Sequence, residues 1–316
     1  MTVLFREFSG PVLCSRGSVV CIGAFDGLHL GHQHLLAQAK LKAQELKVNL
    51  VVVSFEPLPR EYFMRANPPS RLILASQKIG LLRHFGADVI GLLRFNENLA
   101  NTSSDDFIEK LLVGRLNAKA VFVGPDFYFG KNRQGNFSVL QQAGQSLGFE
   151  TIAVVPQLLE SARISSSLIR EDLQHGRLQQ AAAKLGRAYA LEGKVVRGKQ
   201  LGRTLGYPTA NIRFRGKKPA LMGIYATWVH GVCEQPIASV SSVGTRPTVH
   251  GREPLLEAHL FDFDGDLYGK KICVEFIEKL RDEVKFDGLD ALVVQMNQDA
   301  EQARAILARH TLGECA

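Results

Sequence analysis

What this sequence lacks narrows its class before any motif is read. Five cysteines occur, Cys14, Cys21, Cys233, Cys273 and Cys315; they are odd in number, far apart and without a CxxC pair, so neither a zinc framework nor a disulfide scaffold is indicated. Reduced thiols in the cytoplasm are the simplest account. No apolar run approaches membrane-spanning length, and the N-terminus MTVLFREFSG has no signal-peptide pattern. Internal repeats, low-complexity tracts and charged tails are also missing. These absences predict a soluble, cytoplasmic protein with no membrane association and no obligate protein partner in evidence.

What is present describes a globular enzyme-sized chain. Its 316 residues suit two domains rather than one core, and 46% hydrophobic with 22% charged residues is an ordinary folded composition. The net charge of +7 has two readings, a solvated basic surface or an affinity for anions such as nucleotides. Positive residues are spread along the chain, which argues against nucleic acid.

The first half alternates apolar runs and amphipathic stretches. Apolar runs at Val19–Phe25, Val48–Phe55, Ala87–Phe95, Ala118–Val123 and Glu150–Val155 predict strands. The intervening 33–46, 76–84, 105–116 and 138–147 predict helices, with Ser103 or Ser104 capping the third. Short, continuously apolar strands between helices predict a parallel sheet covered on both faces. Beyond about Gly186 the period becomes two, as in Ile224, Ala226 and Trp228, or Leu256, Ala258 and Leu260, and predicts a small antiparallel barrel or sandwich. Leu289, Leu292, Met296, Ala300, Ala303 and Leu307 form one stripe and predict a final helix. The expected domains are residues 1–184 and 185–316.

Two motifs of the first half carry chemistry. The run Gly23-Ala24-Phe25-Asp26-Gly27-Leu28-His29-Leu30-Gly31-His32 links a predicted strand to a predicted helix. Its glycines allow a sharp turn and a close ligand, and a helix start presents free N–H groups and partial positive charge. With His29 and His32 as further donors, it favours a phosphate, above all one gaining charge in a transition state. A metal reading would need a third ligand, which only Asp26 could supply. The second motif, Arg163-Ile164-Ser165-Ser166-Ser167-Leu168-Ile169-Arg170, reads equally as plain helix capping or as a hydroxyl-and-arginine clamp for the outer phosphates of ATP.

In the second half, glycines crowd Gly193–Gly206 and precede Tyr207-Pro208-Thr209-Ala210-Asn211. On an extended backbone Thr209 and Asn211 point the same way, and such an oxygen pair suits Mg²⁺. Taken alone, the same segment is also ordinary turn chemistry.

GAFDGLHLGH and RISSSLIR resemble the two signatures of the HxGH nucleotidyltransferases, in the form seen in FMN adenylyltransferases; Phe55-Glu56-Pro57 and the segment Gly124–Gly130 resemble further segments of that group. GRTLGYPTANI resembles the riboflavin kinase signature, followed in order by LMGIY, VGTRPT, LEAHL and LRDEVKF. The chain is thus similar, over nearly its whole length, to the prokaryotic bifunctional riboflavin kinase/FAD synthetase family. The resemblance implies an α/β fold, with a Rossmann-like nucleotidyltransferase domain followed by a six-stranded antiparallel β-barrel kinase domain and a C-terminal helix. It implies riboflavin, FMN and ATP as substrates, Mg²⁺ as cofactor, FMN and FAD as products, and no nucleic acid. It nominates His29, His32 and Arg163 as catalytic in adenylyl transfer, with Gly23, Phe25, Asp26, Gly31, Ser165, Ser166, Ser167 and Arg170 on ATP and Pro57, Asp126, Phe127 and Phe129 on the flavin. For the kinase it nominates Glu257 as base, Gly198, Gly202, Arg203, Gly206 and Pro208 on ATP, Arg281 on the flavin, and Thr209 and Asn211 on the metal. Ser167 stands where that family usually has threonine, and Ser242 where it often has asparagine. Two rivals share parts of the pattern: an aminoacyl-tRNA synthetase fragment, which would need a lysine-rich KMSKS-type loop where RISSSLIR stands, and a nucleotidyltransferase joined to a non-catalytic RNA- or flavin-binding barrel, of which the RNA-binding form would want aromatic and basic residues on one strand face.

Overall fold

The computed structural model describes residues 2–155, 158–159, 162–198, 202, 205–248 and 251–310. The chain divides into two compact units, residues 1–69 with 78–164, and residues 70–77 with 165–316.

The first unit is built on a parallel sheet of β1 (Val3–Phe5), β2 (Ser18–Ile22), β3 (Asn49–Glu56), β4 (Val89–Arg94), β5 (Ala118–Val123) and β6 (Glu150–Ala153), in the order β1-β4-β3-β2-β5-β6. Every neighbouring pair is parallel. The apolar runs become strands because both faces are covered: all five residues of β2 are buried, and Leu50, Val51, Val52 and Val53 of β3 are at most 1% exposed. Helix α1 (Leu30–Leu46) lays Leu35, Leu36, Ala39 and Ala43 against the sheet, while Leu46 is exposed. Four further helices are α2 (Pro59–Phe63), α3 (Ala75–His84), α4 (Glu97–Ala100) and α5 (Ser104–Asp106); the Ser103 hydroxyl accepts the Asp106 N–H and caps α5. From Phe107 to Arg115 the predicted helix widens to i→i+5 turns, with the Leu116 N–H donating to the Leu111 carbonyl. Helix α6 (Phe137–Leu147) precedes β6.

The strand order reverses direction at β2 and β5. In open α/β sheets the crevice outside the carboxyl ends of two such strands is where ligands bind. The two loops that leave those ends are Gly23–His29 and Gly124–Gly130.

The first unit ends with the antiparallel pair β7 (Leu158–Leu159) and β8 (Ala162–Arg163), and the second continues with α7 (Ser166–Gln174) and α8 (Leu178–Leu185). Gly186 ends α8 at φ +72°, a left-handed cap that suits glycine. Six antiparallel strands then close a barrel: β9 (Ala190–Val196), β10 (Ala210–Arg213), β11 (Gly223–His230), β12 (Ile237–Thr248), β13 (Gly251–Leu260) and β14 (Lys271–Arg281), in the cyclic order β10-β13-β12-β11-β14-β9. Inside, Tyr225, Thr227 and Val229 are fully buried, and the Thr227 hydroxyl is hydrogen-bonded to those of Ser239 and Ser241. The opposite face of the same strands carries Ala226, Trp228, Ala238 and Val240. Helix α9 (Leu289–Leu307) covers it with Ala300, Ala303, Ile306 and Leu307.

Two candidate sites

The N-terminal candidate lies where β2 turns into α1. Phe25 and Leu28 adopt left-handed φ of +46° and +44°, and Gly27 lies at +83°. The turn is tight enough that a Cβ on Gly23 would meet the Phe25 ring at 3.1 Å, and one on Gly31 the His29 ring at 3.3 Å. The His29 and His32 rings stack with centroids 3.7 Å apart, and Phe25 sets its edge on His32 at 5.2 Å. Asp26 and His29 are buried. Burial pushes the His32 imidazole well below its ordinary range, helped by the neighbouring His29 and Lys78, so His32 is neutral near pH 7. Its Nδ1 is buried and has no hydrogen-bond partner within the protein.

Across the switch point, Phe127 and Phe129 stack at 5.3 Å, and Phe129 exchanges backbone hydrogen bonds with Gly135. Gly135 has to be glycine, since a Cβ there would lie 2.6 Å from the Phe129 ring. Asp126 forms an ion pair with Arg163, and both are exposed. Pro57 follows β3 and is partly buried. The division between the compact units falls inside the serine motif, after Ile164. On the second unit the Ser165 hydroxyl accepts the Leu168 N–H and caps α7, Ser166 begins that helix, Ser167 is exposed, and the Arg170 Nε donates to the Ser70 carbonyl at 2.6 Å.

The C-terminal candidate is a cavity of about 930 Å³ in the second unit, within the ~300–1,000 Å³ of typical ligand pockets. It sits over the outer face of the barrel and beside α9. Strand register explains which residues reach it: Val196 pairs with Asn211, Asn211 with Glu257, Glu257 with Ser242, Ser242 with Ile224, and Ile224 with Arg281. Directly paired residues share a face, so this row carries Asn211, Glu257 and Arg281 across the barrel on one side. All six line the cavity.

Asn211 is buried, its amide nitrogen donates to the Thr209 carbonyl at 3.1 Å, and its Oδ1 is buried without a hydrogen-bond partner. Thr209 Oγ1 lies 3.4 Å from that nitrogen. An unsatisfied, buried amide oxygen beside a hydroxyl is a donor set that fits a hard cation such as Mg²⁺. Gly198 leaves the room: a Cβ there would lie 2.9 Å from Asn211 Oδ1. Gly202 is constrained likewise, 2.3 Å from the Tyr207 carbonyl, and Gly206 takes φ +82°. Pro208 offers its carbonyl to the His259 Nδ1–H at 2.9 Å. Arg203 lies outside the described residues.

Several lining residues were not singled out from the sequence. His259 packs on Tyr207 at 4.8 Å, and burial holds its imidazole below the ordinary range. Tyr207 hydrogen-bonds Asn297 of α9. Arg281 makes a two-pronged ion pair with buried Asp299, at 2.8 and 2.6 Å. The only early signal for His259 was its spacing of two from Glu257.

The chain joins a parallel sheet with a histidine-bearing loop at its switch point to an antiparallel barrel with a carboxylate and an amide over one cavity, and the comparisons place this pair among the nucleotidyl- and phosphoryl-transferring enzymes. Sequence models of two families match in succession, FAD synthetase over residues 13–168 and riboflavin kinase over residues 185–307. The chain is 43% identical to the bifunctional riboflavin kinase/FMN adenylyltransferase of Haemophilus influenzae over 92% of its length and 94% of that protein's, and 39% identical to that of Escherichia coli K12 over 92% of both. A solved structure described as a macrolide-efflux protein from Streptococcus pneumoniae matches with a TM-score of 0.75 and 30% identity, over 96% of this chain and 98% of that one. The chain belongs to the bifunctional riboflavin kinase/FMN adenylyltransferase family.

Proposed function

We propose the following division of labour in this riboflavin kinase and FAD synthetase. The second unit phosphorylates riboflavin to FMN with ATP, and the HxGH chemistry then adenylylates FMN to FAD with release of pyrophosphate. The row of paired residues Asn211, Glu257, Ser242, Ile224 and Arg281 over one cavity is the observation that carries the reading.

In the kinase step Glu257 accepts the proton of the ribityl 5′-hydroxyl as that oxygen attacks the γ-phosphorus of ATP. General-base help of this kind is typically worth roughly 10²–10⁴-fold. Thr209 and Asn211 would hold Mg²⁺, which would neutralise phosphate charge there. Gly198, Gly202, Arg203, Gly206 and Pro208 bring backbone close to ATP, and Arg281 orients the flavin. Most of the acceleration is positioning, as in phosphoryl transfer generally.

In the adenylyl step the FMN phosphate attacks the α-phosphorus of ATP. That phosphate is already nucleophilic and needs no base. His29 and His32 donate hydrogen bonds to the charge that grows on the reacting phosphate, from a loop whose Gly23, Phe25, Asp26 and Gly31 shape its approach. Arg163, Ser165, Ser166, Ser167 and Arg170 are assigned to the triphosphate on the sequence match, which includes Arg163 to Ser167. Pro57, Asp126, Phe127 and Phe129 are assigned to the flavin; the stacked Phe127–Phe129 pair supports that assignment.

Among the described residues no helix is long and apolar enough to cross a membrane. The free thiols Cys14, Cys21, Cys233 and Cys273 support a reducing compartment, and we place the enzyme in the cytoplasm acting without nucleic acid, membrane or obligate protein partner. The test is incubation with riboflavin and ATP at graded Mg²⁺, with FMN and FAD followed by chromatography. Formation of FMN without FAD, or of neither, overturns the reading.

A further inference from the structure

Lys78 has no exposed surface at all, which is rare for lysine because a buried ammonium must recover its hydration from fixed partners. Its Nζ donates to the Ala24 carbonyl at 2.7 Å and to the Ser54 hydroxyl at 3.1 Å. Ser54 Oγ in turn donates to the same Ala24 carbonyl at 3.1 Å. An ammonium from α3 and a hydroxyl from β3 thus converge on one backbone oxygen. That oxygen belongs to the loop between β2 and α1.

We propose that Lys78 is a positioning residue for adenylyl transfer, pinning the Ala24–Phe25 peptide so that the phosphate loop keeps its turn and presents His29 and His32 to the reacting phosphate. The inference rests on the assignment of those histidines to that step.

The geometry argues for pinning rather than for simple core filling. In a trans peptide the carbonyl and the following N–H point in opposite directions. With the Ala24 oxygen held against Lys78, the Phe25 N–H is turned to the other side of the peptide. Phe25 itself sits at φ +46°, a conformation that bulky residues adopt only where their surroundings over-determine it. The Phe25 ring, fully buried, then sets its edge on His32. One link therefore runs from Lys78 through Ala24 and Phe25 to His32. Lys78 also acts on His32 through its charge, alongside His29; both depress the imidazole, which burial already keeps neutral. Asp26, buried in the same loop, is the acidic group of this segment.

Three variants of the full-length enzyme test this: Lys78→Met, Ser54→Ala and His32→Ala. Lys78→Met is expected to lower kcat for FAD formation from supplied FMN by about tenfold or more, since small misplacements of reacting groups are costly. It should also move the acid limb of that activity to higher pH: His32 protonates more easily without the nearby charge, and a buried imidazolium stacked on His29 loosens the loop. Riboflavin phosphorylation, assigned to the second unit, should be unchanged, and a denaturant melt of the first unit reports whether its own fold is intact. Ser54→Ala keeps the charge and loosens the pin, so kcat should fall less and the acid limb should stay. A folded Lys78→Met enzyme with normal kcat and an unmoved acid limb, beside an impaired His32→Ala, overturns the role of Lys78 alone. Normal FAD formation by His32→Ala overturns the assignment beneath it. If Lys78→Met does not fold, Lys78→Gln takes its place, and a folded enzyme with unaltered kcat rules out pinning at Ala24.

Discussion

Asn211 and Glu257 stand directly opposite each other on β10 and β13, on the face that lines the barrel cavity. Forty-odd residues apart in sequence, the amide and the carboxylate become neighbours because two antiparallel strands bring them into register. Paired side chains of this kind lie about 4.5–5.5 Å apart at Cβ. On the proposed roles, a phosphoryl group transferred at this place would have a cation site on one side and a proton acceptor on the other.

Glu257→Gln keeps the shape and removes the proposed proton acceptor. FMN formation should fall by roughly 10²–10⁴ in kcat, with a smaller change in KM for riboflavin. Adenylylation of supplied FMN should be normal. A kcat within twofold of wild type in the stopped kinase assay would show that Glu257 is not the base.

Thr209 and Asn211 are both neutral, so the protein offers Mg²⁺ little charge and the cation should arrive with ATP. Asn211→Ala should raise the Mg²⁺ concentration needed for FMN formation and lower the maximal rate. Asn211→Asp should bind metal more tightly without nucleotide, yet slow phosphorylation, since it sets a like charge beside the phosphates. Mg²⁺ titrations with and without ATP read both effects. Normal FMN production by Asn211→Ala at limiting Mg²⁺ would reduce the Thr-Ala-Asn segment to a structural turn.

His32 gives the adenylyl half its own signature. His32→Ala should lower FAD formation by roughly 10²–10³ and make FMN accumulate. The depressed imidazole also fixes a sign for stability. The unfolded chain takes up a proton near pH 6.5 and the native His32 only at lower pH, so its contribution is complete above about 6.5 and is lost as pH falls below it. Denaturant melts of the first unit at pH 7.5 and 5.5 should show an acid loss that is smaller in His32→Gln. An equal loss in both proteins would mean that His32 is charged in the native state.

Much of this was legible in the sequence where one short segment carries its own geometry. The apolar runs at β3 and β5 read as buried strands, and the HxGH motif sits at one strand-to-helix junction, with His29 at the cap position of α1 and His32 in its first turn. Residues whose role depends on distant partners were not legible. Lys78 looks like any helical lysine until Ala24 and Ser54 close on it. Strand β1 is three residues long at the sheet edge, with Val3 and Leu4 exposed, too short for a period. Thr227, Ser239 and Ser241 are buried inside the barrel because they satisfy one another, so their polarity concealed the inward face. Asp299 belongs to a predicted helix, but its function needs β14 beside it.

That last pairing supports a final prediction. Asp299 is 5% exposed and accepts both prongs of Arg281 and the amide of Gln295, at 2.8, 2.6 and 3.0 Å. It therefore ties α9 to the end of β14 and orients the guanidinium that lines the kinase cavity. Asp299→Asn retains the volume but gives up the charge, leaving Arg281 with a weaker partner. Arg281 keeps some solvent access, so the cost should be about 1–3 kcal/mol rather than the larger penalty of a fully enclosed pair. If Arg281 orients the flavin, KM for riboflavin should rise several-fold while kcat at saturation changes less, because Glu257 and Asn211, the groups proposed to act at the reacting phosphate, are untouched. The adenylyl step should be unaffected. Should Asp299→Asn lower the melting temperature of the second unit and leave the riboflavin KM at its wild-type value, the Arg281–Asp299 pair is a structural tie only, and flavin recognition must be sought among the other residues of the cavity.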